Sequence, residues 1–183
     1  AHYTSGTLYT QMQSEDIRWD TPQMYIQGKV NCTLAWGGSF ASDSLTGLFQ
    51  LSDVRYSLPA YSLQLYTKST LMIPLERGVL LLTALPLYTA SKQPLLLDGK
   101  VSLLGNTPTA QLRLTARDTD LLQGRPTRES QLYGKALVSG DILLNGPFDA
   151  LSIMGDLRLR PSSSIHYIYK DAILTIWAEV LVA

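Results

Sequence analysis

The stretch Gly134-Lys-Ala-Leu-Val-Ser-Gly140-Asp-Ile-Leu-Leu-Asn-Gly146 carries a glycine at every sixth position across two steps. The same spacing begins at Gly99, and Gly28-Lys-Val starts a weaker copy. Glycine is the least strained residue where a chain needs a positive φ or a close approach between backbones. The repeat therefore predicts short strands, separated by glycine-containing turns and stacked serially into an elongated sheet. A closed barrel or sandwich with regular turns stays open as the alternative.

Alternation at period two dominates the rest of the chain, and helical periodicity is nearly absent. Three segments place apolar residues on one face and polar residues on the other, as expected of an antiparallel sheet with one covered face. Their apolar positions are Leu112, Leu114, Ala116, Leu157, Leu159, Ile165 and Tyr167. Their polar positions include Gln111, Arg113, Thr115, Arg158 and His166. The pattern predicts an all-β chain.

Four further segments carry weaker predictions. Tyr61 to Ile73 is a long run with Leu63, Leu65 and Leu71 at odd positions, so its apolar side is predicted to stay in phase. Val79 to Leu82 is apolar on both faces and is predicted as a strand buried on both sides or at a crossing. Ser39 to Ser44 is predicted as a loop, and Leu121 to Ser130 as a polar turn region. No linker divides residues 1–183, so they are interpreted as a single β-rich segment. The abrupt start without Met suggests a piece of a longer protein.

The overall charge argues against binding to nucleic acid. Lys and Arg together number 15, as do Asp and Glu, so the formal net charge is +0. A nucleic-acid binder needs clustered basic residues to displace counterions. The same balance leaves no polybasic reason to dock on anionic lipid.

No catalytic or metal-binding pattern is present. Gly37-Gly38-Ser39 lacks the strand–turn–helix setting of a nucleophile elbow, and no nucleotide-binding glycine motif occurs. Cys32 is the single cysteine and is interpreted as a small residue packed in a strand. Asp118 and Asp120 lack the other ligands of a calcium loop, and His166 is interpreted as a polar-face residue. We expect no enzyme activity, no metal and no cofactor.

A family resemblance adds to this pattern. Four motifs carry it, in this order along the chain: Thr127-Arg-Glu-Ser-Gln-Leu-Tyr-Gly-Lys135, Gly140-Asp-Ile-Leu-Leu-Asn-Gly-Pro-Phe-Asp149, Gly155-Asp-Leu157 and Ile165-His-Tyr-Ile-Tyr-Lys-Asp171. In this order the motifs resemble the C-terminal part of TamB-like translocation-and-assembly proteins of the Bacteroidota type, over about residues 94–175. After Asp171 the chain departs from the family, because 172–183 are apolar where the family has a polar, acidic segment.

The resemblance implies a fold, a location and partners. It implies a curled, trough-like sheet with an apolar concave face, in the periplasmic part of an envelope protein anchored in the inner membrane. It also implies passage of phospholipid between the inner and outer membranes, or outer-membrane protein assembly with a barrel partner of the Omp85 class. The departure after Asp171 puts direct binding of that partner by this segment in doubt.

Two functional hypotheses follow. In the first, the chain forms a groove for phospholipid acyl chains, because burial of each methylene contributes roughly 0.8 kcal/mol without any specific polar contact. The candidate lining residues are Leu112, Leu114, Leu157, Leu159, Ile165 and Tyr167. In the second, the chain is a structural or adhesive β-sandwich with a closed core and no ligand.

Overall fold

The computed structural model describes residues 2–4, 6–21, 24–37, 44–89, 92–124, 131–168 and 178–179. These residues form thirteen strands, one 3₁₀ turn (Pro59–Tyr61) and no α-helix. The strands are β1 His2–Thr4, β2 Thr7–Asp20, β3 Tyr25–Gly37, β4 Leu45–Leu58, β5 Leu63–Tyr66, β6 Leu71–Glu76, β7 Val79–Leu87, β8 Leu95–Ser102, β9 Thr109–Gly124, β10 Leu132–Pro147, β11 Ser152–Leu159, β12 Ser164–Tyr167 and β13 Ala178–Glu179. The predicted all-β fold is confirmed.

All thirteen strands belong to one antiparallel sheet that does not close on itself. Eleven strands follow one path, β1-β2-β3-β4-β6-β7-β8-β9-β10-β12-β13, while β5 pairs with β4 and β11 pairs with β10. Most neighbours in the sheet are also neighbours in sequence, because short connections join antiparallel strands directly. The described strands therefore form one sheet and not the two facing sheets of a sandwich.

The sheet has two chemically different faces. We call the side that carries Leu132, Val138 and Ile142 of β10 the apolar face, and the side that carries Lys135 and Asp141 the polar face. The register assigns each paired residue of the other strands to one of these two faces, since directly opposed residues point the same way. The apolar residues of neighbouring strands therefore lie side by side on one face of the sheet, and the polar residues on the other.

Charge separates completely between the faces at paired positions. Every Asp, Glu, Lys and Arg at a paired position of β2 to β11 lies on the polar face. They are Arg18, Asp20, Lys29, Arg55, Glu76, Asp98, Lys100, Arg113, Asp120, Lys135, Asp141, Asp156 and Arg158. All of them except Asp120, which is 8% exposed, are half-buried or exposed, so the charged side chains keep to the side that meets water and the apolar face is the side that the fold withdraws from it.

The sheet curls towards its apolar face. Tyr66 at the end of β5 pairs with Tyr88, which follows β7, so β5 lies beside β7. From β5 to β10 the sheet then takes four strand spacings, through β7, β8 and β9. In a flat sheet this would separate β5 from β10 by roughly 19 Å. Yet the amide of Gln131, just before β10, donates to the carbonyl oxygen of Ala60, just before β5, at 2.7 Å. Leu65 of β5 also packs against the core cluster that β10 joins. The apolar face is therefore concave.

Most repeat glycines lie inside strands, so the breaks predicted at those positions are wrong, whereas Gly105 lies in the bend between β8 and β9, as predicted. Gly134, Gly140 and Gly146 all belong to the continuous strand β10, and all have positive φ. A Cβ at Gly140 would clash with the carbonyl oxygen of Asp156 on β11. The predicted need for positive φ and close backbone approach is thus confirmed, and glycines of this kind bend a strand and allow a sheet to curl.

The phase predicted for Tyr61 to Ile73 is confirmed, because Leu63, Leu65 and Leu71 all lie on the apolar face, although the run is divided between the 3₁₀ turn, β5 and β6. Ser62 adopts a left-handed conformation (φ 50°) that ends the turn. The predicted turn region Leu121 to Ser130 is wrong at its start, since β9 continues to Gly124, and 125–130 lie outside the described residues. Val79 to Leu82 begins β7, where its residues are half-buried. The predicted loop 39–44 lies outside the described residues except for Ser44.

Two clusters of buried residues form the core on the apolar face. One comprises Leu95, Ala116, Leu122, Ala136 and Val138, and the other Leu71, Ile73 and Leu85. Leu75 and Cys32, on the same face, are each 1% exposed. The prediction of Cys32 as a small residue packed within a strand is confirmed.

Candidate functional site

The six residues predicted to line a groove all lie on the apolar face. On β9, Leu112 and Leu114 oppose Leu144 and Ile142 of β10. The β11 and β12 candidates oppose β10 positions of the same face: Leu157 opposes Gly140, Leu159 opposes Val138, Ile165 opposes Gly134, and Tyr167 opposes Leu132. The sheet therefore brings all six to one continuous surface.

Burial divides these six into two groups. Leu114, Leu159 and Ile165 pack against the cluster around Ala116 and Val138, so they form part of the folded core. The other three lie nearer to solvent. Leu112 is half-buried, Leu157 is 42% exposed and Tyr167 is 47% exposed.

Large apolar residues remain exposed at both margins of the apolar face. On β2, close to one end of the sheet path, these are Met12 (63% exposed), Ile17 and Trp19 (62% exposed). On β11 and β12, close to the other end, they are Ile153 (68% exposed), Leu157 and Tyr167. We call these two groups the β2 rim and the β11 rim. Exposed apolar side chains that share one face of a sheet are typical of surfaces that contact other apolar groups.

Sequence reasoning missed the β2 rim because a bulge interrupts the strand. Ser14 pairs with Val30 and Ile17 pairs with Gly28, so two residues of β2 are left over between them. The bulge moves the apolar phase from even to odd positions, and Met12 shares a face with Ile17 and Trp19. The acidic pair within Ser14-Glu15-Asp16, which lies in the bulge, is the sequence feature that could have indicated it.

An ion pair between Asp118, at a bulge in β9, and Arg160, directly after β11, lies next to the β11 rim. The carboxylate of Asp118 accepts hydrogen bonds from Arg160 Nε at 2.7 Å, Arg160 Nη2 at 2.9 Å and Ser139 Oγ at 2.8 Å. The hydrogen bonds from Arg160 and Ser139 lower the pKa of Asp118, and the same carboxylate raises the pKa of Arg160. The pair connects β9, β10 and the residue that follows β11.

The remaining polar candidates lie away from the apolar face. His166 is on the polar face, where its ring stacks on Tyr133 at 5.0 Å and its Nε2 lies 3.1 Å from Ser164 Oγ, as predicted for a polar-face residue. Among the described residues, no three His, Cys, Asp or Glu side chains are grouped to hold a metal ion. On the apolar face itself, burial raises the pKa of Tyr56.

The apolar face has the chemistry of a binding surface for hydrocarbon. It is concave, free of charged side chains at its paired positions, and exposed along two rims.

No helix in the described ranges combines the length and hydropathy needed to cross a bilayer. Comparison of the chain with protein-family models, with curated proteins and with solved structures finds no match in any of the three.

Proposed function

We propose that the apolar face is a hydrophobic groove that receives lipid acyl chains. The observation that carries the proposal is the exposure of Ile153, Leu157 and Trp19 at rims continuous with a concave apolar surface. No second layer of the described chain covers these side chains. Acyl chains bound along the rims would cover their apolar side chains and remove them from water.

Simple energetics favour this kind of ligand. Each methylene withdrawn from water contributes roughly 0.8 kcal/mol, so eight methylenes contribute about 6 kcal/mol before the cost of ordering the chain. No donor or acceptor needs to be matched, which agrees with a face whose paired positions hold no charge. The affinity then depends on the apolar area that is buried and not on any single polar contact.

The family resemblance supports a finer version of the proposal. The motifs of 127–171 resemble TamB-like proteins, whose trough-like sheet, apolar on its concave side, carries phospholipid between inner and outer membranes or assists outer-membrane protein assembly. By that resemblance the chain is a periplasmic segment of an inner-membrane-anchored protein. Its full-length form would work with an Omp85-class barrel. The open, curled sheet agrees with this expectation.

Two adjacent residues of β11 allow a matched test. Ile153 and Met154 are both well exposed, at 68% and 59%, but lie on the apolar and polar face respectively. The test is a fluorescence titration of a pyrene-labelled fatty acid into the wild-type chain and into the variants Ile153→Asp and Met154→Asp. We expect saturable binding that Ile153→Asp weakens by about tenfold or more, since a charge then lies in the groove, while Met154→Asp leaves it unchanged.

Two outcomes would contradict the proposal. Absence of saturable binding by the folded wild-type chain would exclude an acyl-chain groove. Equal weakening by Ile153→Asp and Met154→Asp would mean that the fatty acid does not use the apolar face. Circular dichroism of all three proteins establishes that they are folded alike.

A further inference from the structure

A second depression lies on the polar face, on the opposite side of the sheet from the proposed groove. It has a volume of about 500 Å³, within the range of small-molecule sites. The side chains that line it from the polar face come from β3, β4 and β5. They are Tyr25, Arg55, Ser57, Gln64 and Tyr66, and Tyr56 and Leu65, whose side chains belong to the apolar face, complete the lining.

The strand register places these side chains in two rows. In one row Arg55 lies between Gln27 and Tyr66, and Tyr66 in turn pairs with Tyr88. In the other, Ser57 lies between Tyr25 and Gln64. Because three strands contribute, the arrangement is built by the sheet and not by a loop, and strand positions hold side chains more precisely than loops do.

Neighbouring groups fix the tyrosine rings. The hydroxyl of Tyr25 donates to Gln27 Oε1 at 2.6 Å, and the guanidinium of Arg18 lies 5.4 Å from the Tyr25 ring centroid. The Tyr66 ring packs against Tyr88 with centroids 6.0 Å apart and a tilt of 32°. Lys68 Nζ covers the Tyr88 ring at 3.8 Å. The two rings that line the depression are therefore positioned before any ligand arrives.

Arg55 is the cation that lines the depression, and it has donors to spare. The guanidinium of Arg18 forms an ion pair with Asp20 at 3.3 Å, and Lys29 forms one with Asp53 at 3.1 Å. Among the described residues, no carboxylate lies within 4.0 Å of Arg55. A guanidinium presents a planar fork of donors that fits a carboxylate or a phosphate in bidentate fashion.

We infer that this depression binds a saccharide that carries an acidic group, a carboxylate or a phosphate. The tyrosine rings offer apolar faces to the C–H side of a sugar ring, and their hydroxyls reach polar groups at its edge. Gln64 and Ser57 supply donors and acceptors for sugar hydroxyls, and Arg55 takes the acid. The site lies on the polar face, so it does not depend on the proposed function of the apolar face.

Isothermal titration and tyrosine-resolved NMR on the whole chain test the inference with three probes. These are methyl glucuronide, glucose 6-phosphate and, as the neutral control, methyl glucoside. We expect saturable binding of at least one acidic sugar, weaker binding of methyl glucoside, and chemical-shift changes at Tyr25 and Tyr66. Arg55→Gln should lower the affinity for the acidic sugar by about tenfold or more, since it removes a charge-assisted pair of hydrogen bonds.

Two further variants complete the test. Tyr66→Leu should also weaken binding, because it removes a ring face, while Arg113→Gln, another arginine of the polar face on β9, should leave binding unchanged. The inference is overturned if neither acidic sugar binds, if methyl glucoside binds as tightly as they do, or if Arg113→Gln matches Arg55→Gln. Tighter binding of a single-stranded oligonucleotide than of any sugar would also overturn it. Melting curves show whether each variant is folded.

Discussion

The carbonyl oxygen of Asp156 on β11 occupies the space where a side chain at Gly140 on β10 would begin. Gly140 itself has a φ of 147°, a value that L side chains rarely adopt. The two strands therefore approach more closely than any other residue at position 140 would allow. This contact holds β11, with the exposed Ile153 and Leu157 of the β11 rim, against the body of the sheet.

Replacement of this glycine should destabilise the fold. We expect Gly140→Ala to lower the free energy of unfolding by more than about 2 kcal/mol, because it combines strained backbone with a backbone clash. Gly37→Ala is the matched control, since nothing lies within 4 Å of a Cβ there, and should change stability by less than about 0.5 kcal/mol. Urea denaturation measures both. Equal stability of Gly140→Ala and the wild type would contradict the geometry of β10.

Stability should depend on the interior of the apolar face and not on its rims. Leu75 is 1% exposed, so Leu75→Ala should cost about 2–5 kcal/mol through lost burial and the cavity it leaves. Met12 on the β2 rim is 63% exposed, and Met12→Ala should stay within about 0.5 kcal/mol of the wild type. Urea denaturation compares the two. A large loss for Met12→Ala would mean that the β2 rim is covered in the folded chain.

The Asp118–Arg160 pair should make stability depend on pH. The folded pKa of Asp118 is lowered by its hydrogen bonds with Arg160 and Ser139, so the native state binds this proton less readily than the unfolded chain. The stabilisation is therefore complete above the ordinary pKa of about 3.9 and is lost as the pH falls through the lowered value. Asp118→Asn should reduce the melting temperature at pH 7, and the deficit should shrink in stronger acid.

A double-mutant cycle provides the control for this prediction. Arg160→Gln should reproduce the deficit at pH 7, and the double variant should be little worse than either single one, since both remove the same interaction. Melting temperatures across the pH range supply the data. A deficit of the same size at pH 2 and pH 7 would show that the lost contact is not the ionised carboxylate.

The thiol of Cys32 should report whether the centre of the apolar face is closed to water. Cys32 is 1% exposed and lies between Met12 and Phe49 in the register. We expect an aromatic disulfide reagent to react with it roughly a hundredfold more slowly in native buffer than in denaturing urea. The double variant Cys32→Ser/Thr33→Cys carries its thiol at the exposed position 33, where it should react with the reagent at once in native buffer. Rapid native reaction of the wild type would contradict the burial of this strand.

The faces of the sheet were predictable where strands run without interruption. Alternation from Gln111 to Ala116 assigned every side chain to the correct face because β9 and β10 stay in register there. Alternation alone does not reveal the bulge in β2, because the bulge reverses the phase between Met12 and Ile17 and is marked only by the acidic pair Glu15-Asp16. For this reason the sequence pattern did not predict the exposed β2 rim.

The places where strands break were less predictable. Leu63, Leu65 and Leu71 share one phase, as predicted, but the pattern does not show that β5 pairs with one half of β4 and β6 with the other. The division falls at residues 67–70, where the amide of Thr67 donates to the carbonyl oxygen of Val54, and a local sequence pattern does not record such a long-range contact. Conversely, the positive φ at Gly140 was expected, but a local pattern does not distinguish a turn from a bend inside a strand.

Crosslinking from two adjacent residues of β11 tests the central claim most directly. Leu157 lies on the apolar face and Arg158 on the polar face, and both are exposed. A photoreactive amino acid replaces each in turn, the chain is illuminated with phosphatidylethanolamine vesicles, and the attached lipid is identified by mass spectrometry. An apolar-face groove predicts phospholipid attached at position 157 and little at position 158. Equal or stronger attachment at position 158, or no lipid at either, would contradict it.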